Sequence, residues 1–380
     1  MGSGKLASQP APFDYQPLGR VMFEPGGMAR IGELVRELGG SRVLLVTDPG
    51  LEEAGHPQRA VQFLQEAKLD VAVFDGVEEN PTERHVEAGV TAAKKHETNF
   101  LVAIGGGSAM DVAKGVNFIL TNGGRLSDYL GYGKAKKSML PSIGLPTTAG
   151  TGSEAQSYAL IADESSHLKM ACGDRKAAFR VAMLDPELTV TQPTRVTAMT
   201  GIDSITHAIE SFVTTKRSPF SQMFSRQAWQ LLNGNIERVL AEPTELSARA
   251  AMQLGAHLAG MAIENSMLGC AHSCANPLTA HYGIAHGLAV GIMLPAVIRF
   301  NASHVELLYQ EVHPGGSDFL ANRLLALLRA ADLPDNLSSL GVSRSILPVL
   351  AEEAAQQWTA QFNPRPATAA DLARLYEAAF

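Results

Sequence analysis

Asn99-Phe-Leu-Val-Ala-Ile104-Gly105-Gly106-Gly107-Ser108-Ala-Met-Asp111-Val-Ala-Lys114 is the stretch whose reading decides the fold. An apolar run of strand length meets three glycines and then a helical pattern. Glycine lacks Cβ, so the backbone can approach a ligand closely. The helix start beyond it offers free amides and a positive dipole end to a phosphate. A tight turn alone would account for the glycines. The position at the carboxyl end of a strand favours a phosphate site, because open parallel sheets bind ligands there.

The pattern before this stretch is strand, helix, strand, helix. Gly19 to Phe23 reads as a short strand, and Arg42 to Asp48 as a second with a carboxylate at its carboxyl end. Val71 to Phe74 follows, with helical spacing before and after it. Such alternation predicts a parallel sheet covered on both faces. Beyond it, Leu145-Pro-Thr147-Thr148-Ala-Gly-Thr151-Gly-Ser153-Glu154 interleaves hydroxyls with glycines. A surface loop could have that composition, but so could a cofactor-facing one. Residues 155–190 carry mixed strand-like pieces. The whole of 13–190 reads as an α/β dinucleotide-binding domain.

After residue 190 long helical patterns dominate, at about 195–215, 218–239, 245–266, 268–281, 286–300, 317–331, 343–357 and 368–379. Residues 191–380 therefore read as an all-helical domain. Asp203 and His207 are four apart, so both leave one face of one helix. His272 and His286 can join them only if two further helices fold back. One carboxylate and three imidazoles suit a divalent metal such as zinc or iron(II). An isolated Asp-x-x-x-His is more often structural than ligating, so the metal reading needs the rest of the chain.

The chain has 380 residues, 46% hydrophobic and 18% charged, which allows a large core and argues against general disorder. Its net charge of −7, with no long basic run, leaves nucleic acid without an electrostatic footprint. Apolar runs are interrupted by Gly, Pro, His or charge, which argues against a membrane span. No secretory signal opens the chain, so it is expected in the cytosol. Met1-Gly-Ser-Gly4 has the composition of a tag, and residues 1 to about 12 are not expected to belong to the fold. Cys172, Cys270 and Cys274 make no disulfide framework. Cys270 and Cys274 flank His272, yet small buried cysteines are commoner than thiolate ligands.

Four motifs in order now identify a relationship: Gly105-Gly-Gly-Ser108-x-x-Asp111-x-x-Lys114, Pro146-Thr-Thr-Ala-Gly-Thr-Gly-Ser153-Glu154, Asp203-x-x-x-His207-Ala-x-Glu210, and His286-Gly287 followed by Leu294-Pro295. With Asn363-Pro-Arg-Pro366 near the end, the chain resembles the iron-containing (group III) alcohol dehydrogenases over roughly residues 15–378. The resemblance implies a nicotinamide-binding domain, a helical metal domain and an active site between them. It implies Asp203, His207, His272 and His286 as ligands, with iron(II) favoured and zinc an alternative. It puts the diphosphate at Gly105, Gly106, Gly107 and Ser108, with Asp111, Thr147, Thr148, Thr151 and Ser153 also in the cofactor site. Asp48 falls where such enzymes read the adenosine ribose, which favours NAD over NADP. The implied partner is a small alcohol or aldehyde. Relatives of the family are often dimers, which makes the sheet edge near 13–23 a candidate interface.

Asn276 is a departure, because the family often has histidine there, near the nicotinamide. Asparagine can donate and accept hydrogen bonds but cannot take up a proton near neutral pH. Asn276 and His281, the nearest unassigned histidine, are the candidates for the catalytic relay, although His281 reads more readily as a helix residue facing elsewhere. His257 reads as a packing residue. The architecture is shared with glycerol dehydrogenases, maleylacetate reductases and dehydroquinate synthases. The last are lyase-type enzymes whose metal set begins with Glu rather than Asp203. Maleylacetate reductases tend to lack the metal set altogether.

Overall fold

The computed structural model describes residues 12–164 and 169–380; the tag-like Met1-Gly-Ser-Gly4 lies outside them. The amino-terminal half runs β1 Arg20–Phe23, α1 Ile31–Glu37, β2 Arg42–Val46, α2 His56–Glu66, β3 Asp70–Phe74, α3 Glu83–Lys95, β4 Phe100–Gly105 and α4 Gly107–Asn122. It continues through β5 Gly131–Tyr132, β6 Ser142–Pro146, β7 Tyr158–Ala162, β8 Lys169–Gly173 and β9 Val181–Leu184. Six strands form one sheet in the order β1-β9-β6-β4-β2-β3, and every pairing in it is parallel. A second sheet, β5-β8-β7, supplies the antiparallel β7–β8 pair at its side.

The pleat explains why both faces are covered. Val43 and Leu45 of β2 join one apolar cluster with Phe100, Val102 and Ile104 of β4. Leu44 and Val46 point to the opposite face and join Leu101 and Ala103 in another. All these side chains are fully buried, so the strands read as unbroken apolar runs rather than alternating ones. β4 and β6 lie at the centre, and their carboxyl ends deliver the glycine turn and the Thr147–Thr148 loop side by side: Thr147 N donates to Gly105 O at 2.9 Å.

The carboxyl-terminal half is helical: α5 Thr194–Val213, α6 Pro219–Ala241, α7 Leu246–Glu264, α8 Cys270–Tyr282, α9 His286–Val312, α10 Gly316–Ala330, α11 Leu347–Gln356 and α12 Ala369–Ala378. α5 is its centre, buried along nearly its whole length. α9 is longer than the sequence pattern suggests and combines two helical pieces across non-helical Val305. It is long and apolar enough to span a membrane by length and composition, contrary to the expectation from apolar runs. In this fold 72% of that apolar window is packed inside the helical core.

The two halves meet at unusually close range. Gly152, with φ of 60°, has a left-handed backbone, and a Cβ on it would lie 2.7 Å from Gly260 Cα. The Thr147–Ser153 loop therefore presses directly on the backbone of α7. Gln253 Nε2, also on α7, donates to Pro146 O at 3.0 Å and to Asp185 O at 3.2 Å.

Candidate active site

α5 presents Asp203, His207 and Glu210 on one buried face, as their spacing requires. α8 begins against that face at Gly269, where a Cβ would lie 2.8 Å from Asn363 Oδ1 and 3.0 Å from Glu210 Oε1. Side chains then satisfy the free amides of the first turn of α8. Cys270 N donates to Asn363 Oδ1 at 3.2 Å and Ala271 N to Glu210 Oε1 at 2.7 Å. The same carboxylate takes His272 Nδ1 on Oε2 at 2.6 Å. α9 begins at His286, and Gly287 behind it abuts Met199 O of α5 too closely for any side chain.

Three imidazoles thus converge on one carboxylate oxygen. Asp203 Oδ1 lies 3.4 Å from His207 Nε2, 3.7 Å from His272 Nε2 and 3.9 Å from His286 Nε2. Asp203, His207 and His272 are buried and can offer ligand atoms all within 4.8 Å of one another. His286 stands at the cleft side of this trio, 24% exposed. Asp203 Oδ1 and His272 Nε2 are buried without a hydrogen-bond partner. Two such atoms facing each other need an explanation. Atoms sharing one zinc-sized cation lie roughly 3.4 Å apart, so the donor set fits a divalent metal.

The electrostatics point the same way. Burial alone would raise the Asp203 carboxyl, but the facing imidazoles hold it well below the usual carboxylate range. Burial pushes His207 down to about 4 and His286 well below its ordinary value. Burial also opposes charge on His272, yet the carboxylates of Asp203 and Glu210 beside it raise it to about 9.

The cluster opens into a cleft of about 880 Å³ between the two halves. Its far end is lined by Asp48, Gly106, Gly107, Ser108, Thr147, Thr148 and Thr151, so the two cofactor stretches face one space. Gly105 lies behind the turn, where a Cβ would lie 3.0 Å from Asp48 Oδ2. A Cβ at Gly107 would lie 2.7 Å from Thr151 Cγ2. Burial raises the Asp48 carboxyl, while the amides of Gly50 and Leu51 oppose the shift.

Asp111 and Ser153 also line the cleft, but their polar atoms are engaged within the protein. Ser153 Oγ donates to Asp111 Oδ1 at 2.6 Å. The buried Lys114 Nζ donates to Ser153 O, Ser153 Oγ and Tyr158 O, each at 2.7 Å. These two residues hold the loop in place around Lys114.

Neither relay candidate is among the described residues that line the cleft. Asn276 lies one turn beyond His272 on α8, and its Nδ2 donates to Gln357 Oε1 at 3.0 Å. His281 is nine residues beyond His272, which puts it roughly 13 Å along the helix and on its opposite side. There its Nε2 pairs with Glu353 at 2.9 Å, partly exposed. His257 is buried on α7 with Nδ1 3.0 Å from Glu154 Oε1. Cys270 and Cys274 are buried free thiols, both pushed up by burial.

Lys169 escaped sequence reading. It lines the cleft, and burial lowers its ammonium while Asp111 and Asp203 favour the charge. A single lysine in a strand-like stretch gives no local signal of this. Glu210 was visible as part of the α5 motif, but its bond to His272 depends on where α8 lands.

Known proteins carry the same organisation. A family profile described as iron-containing alcohol dehydrogenase matches residues 19–186, and its Fe-containing C-terminal counterpart matches 197–380. The chain belongs to the iron-containing alcohol dehydrogenase family. It is 33% identical over 362 residues to the NAD-dependent methanol dehydrogenase of Bacillus methanolicus, covering 92% of this chain and 95% of that one. The solved structure of a 1,3-propanediol oxidoreductase superposes with a TM-score of 0.94 at 30% identity, covering 97% of this chain and all of that one (100%). A sulfoacetaldehyde reductase from Bifidobacterium kashiwanohense, solved with NAD+, gives 0.88 at 28% identity, covering 97% of this chain and 98% of that one. This iron-containing alcohol dehydrogenase family member is thus an oxidoreductase of the alcohol–aldehyde type, and the lyase alternative is not favoured.

Proposed function

We propose that the protein interconverts a small alcohol with its aldehyde or ketone, using NAD(H) and one divalent metal. The observation that carries this reading is the convergence of three imidazole nitrogens on Asp203 Oδ1 within a cleft shared with the glycine turn. Asp203, His207, His272 and His286 would hold the metal, iron(II) or zinc. The metal would supply Lewis-acid polarisation of the substrate oxygen, and the nicotinamide would carry the hydride.

The chain's own residues do the rest. The start of α4 and the Gly105–Ser108 turn offer amides to the cofactor diphosphate. Asp48 accepts hydrogen bonds from ribose hydroxyls and repels a 2′-phosphate, which favours NAD over NADP. Thr147, Thr148 and Thr151 line the same space with hydroxyls. Among the described cleft-lining residues, Lys169 carries the one ammonium, suited to a hydroxyl-rich or anionic part of the cofactor. Leu160, Ile263 and Leu268 add apolar surface to the cleft, which helps exclude water from the reacting carbon. Asn276, bonded to Gln357, takes no part in proton transfer.

The test is a paired measurement on protein purified without oxygen. Bound metal is quantified, and NADH absorbance is followed with small alcohols before and after chelation. Turnover lost on chelation and restored by iron(II) or zinc supports the reading. Full turnover by a metal-free His286→Ala variant overturns it. Net NADH formation also separates a dehydrogenase from a lyase that recycles its NAD.

A homodimer through β1 is part of this reading. β1 is a sheet edge on which Val21 and Phe23 are 43% and 44% exposed. An apolar edge strand of this kind favours pairing with a second copy. The three buried free thiols fit a reducing compartment such as the cytosol.

A further inference from the structure

One wall of the cleft is built on β7 and carries an aromatic side chain, Tyr158. β7 turns every second side chain towards the cleft, so Tyr158, Leu160 and Ala162 line it together. Ile263 and Leu268 line it from the helical half. Apart from its histidines, Tyr158 is the one aromatic residue among the described lining residues.

Tyr158 is held from four directions. Its carbonyl accepts from the buried Lys114 Nζ at 2.7 Å. Its ring lies 5.5 Å from that of Tyr132 and 6.0 Å from that of Trp358, the latter stacked at 29°. Beneath it, β8 supplies Gly173 as its cross-strand partner. A Cβ at Gly173 would collide with the Tyr158 ring and approach Tyr132 Cδ2 to 2.6 Å. The backbone there is unstrained, so the glycine is needed for the space the two rings fill.

Trp358 is itself fastened to the metal helix. Asn276 Nδ2 on α8 donates to Gln357 Oε1 at 3.0 Å, and Ser273 Oγ lies 2.9 Å from Thr359 Oγ1. These two bonds bracket Trp358 in sequence and tie its turn to the helix that carries His272. A cleft-lining ring on the nucleotide-binding half is thereby backed by a ring on the helical half.

We propose that Tyr158 is the size-determining residue of the substrate site, and that Trp358, set by the Asn276–Gln357 bond, positions it. The inference rests on the dehydrogenase reading and narrows it to short alcohols and aldehydes. Asn276 then has a positioning function: it aligns the wall through Gln357. Hydrophobic pockets discriminate by about 10–200-fold for a methylene-sized change, so removing a whole ring has an effect of at least that order.

The experiment compares ethanol with 1-hexanol in two readouts. The first is the ratio of kcat/KM values with NAD. The second is binding without cofactor, read from Trp358 fluorescence in a Trp229→Phe background, since the chain has 2 tryptophans. Tyr158→Ala is expected to shift both ratios towards 1-hexanol by about tenfold or more. Tyr158→Phe keeps the ring and is expected to retain the starting ratios. Trp358→Leu and Asn276→Ala, read by turnover, are expected to move the ratio in the same direction by a smaller factor, which general destabilisation does not do. Unchanged ratios in Tyr158→Ala overturn the proposal. If no alcohol is turned over by any variant, the dehydrogenase reading fails, and the binding ratio alone decides the wall.

Discussion

One carboxylate joins α5 to α8: Glu210 Oε2 lies 2.6 Å from His272 Nδ1, and its Oε1 accepts from Ala271 N at 2.7 Å. The bond fixes the tautomer, leaving Nε2 of His272 turned towards Asp203. Residues that orient a ligating histidine typically contribute 10–100-fold in metal affinity. Glu210→Gln can still accept from the imidazole but loses the second acceptor. Its metal Kd, measured by chelator competition, is expected to weaken by about 10–100-fold. An unchanged Kd would show that α8 holds His272 without help.

Asp48 stands at the end of β2 beside the glycine turn, close enough for a Cβ at Gly105 to lie 3.0 Å from its Oδ2. Removing the carboxylate as Asp48→Gly removes both the ribose acceptor and the repulsion of a 2′-phosphate. The NAD-to-NADP ratio of kcat/KM is expected to fall by about tenfold or more, a change of about 1.4 kcal/mol. NADPH binding followed by fluorescence should tighten in parallel. An unaltered ratio would remove Asp48 from cofactor selection.

Gly260 on α7 meets the Gly152 loop backbone to backbone. A Cβ at Gly260 would collide with Gly152 O and lie 2.9 Å from Gly152 Cα, with no flexible side chain to give way. Overpacking of this kind typically costs about 1–3 kcal/mol. Gly260→Ala should lower the denaturation midpoint accordingly and weaken NADH binding, because the Thr147–Ser153 loop must shift. Alanine at Gly234, where nothing lies within 4 Å, is the matched control.

The acid limb of stability has an identifiable contributor. Asp371 caps α12, accepting from Thr368 Oγ1 at 2.6 Å and from Thr368 N at 2.9 Å. Those bonds and Arg374 hold its carboxyl down to about 2. A carboxyl depressed in the folded state stabilises above its unfolded pKa, and the contribution is lost as pH falls through the folded value. The difference in Tm between the parent and Asp371→Asn should be largest above about pH 4 and shrink progressively as pH falls through about 2. α12 bears on the site because Tyr376 donates to Cys274 O of α8 at 2.7 Å. A difference independent of pH would place the effect in packing.

Much of this was present in local pattern. The run from Asn99 to Lys114 announced strand, turn and helix because each depends on neighbours in sequence, and the structure has β4 and α4 there. Asp203 and His207 could be paired from spacing alone, because helical geometry alone decides that. The eight helical patterns after residue 190 follow from apolar periodicity in the same way. What only the tertiary structure decided involves residues far apart in the chain. Gly269, Asn363 and Glu210 together set where α8 begins, which brings His272 to Asp203 and turns Asn276 towards Gln357. Lys169 enters the cleft because β8 lies against β7, and Tyr158 becomes a wall because Gly173 leaves room beneath it. Local pattern fixes which face a side chain leaves. Long-range packing fixes what that face meets, and the chemistry of a site depends on the second.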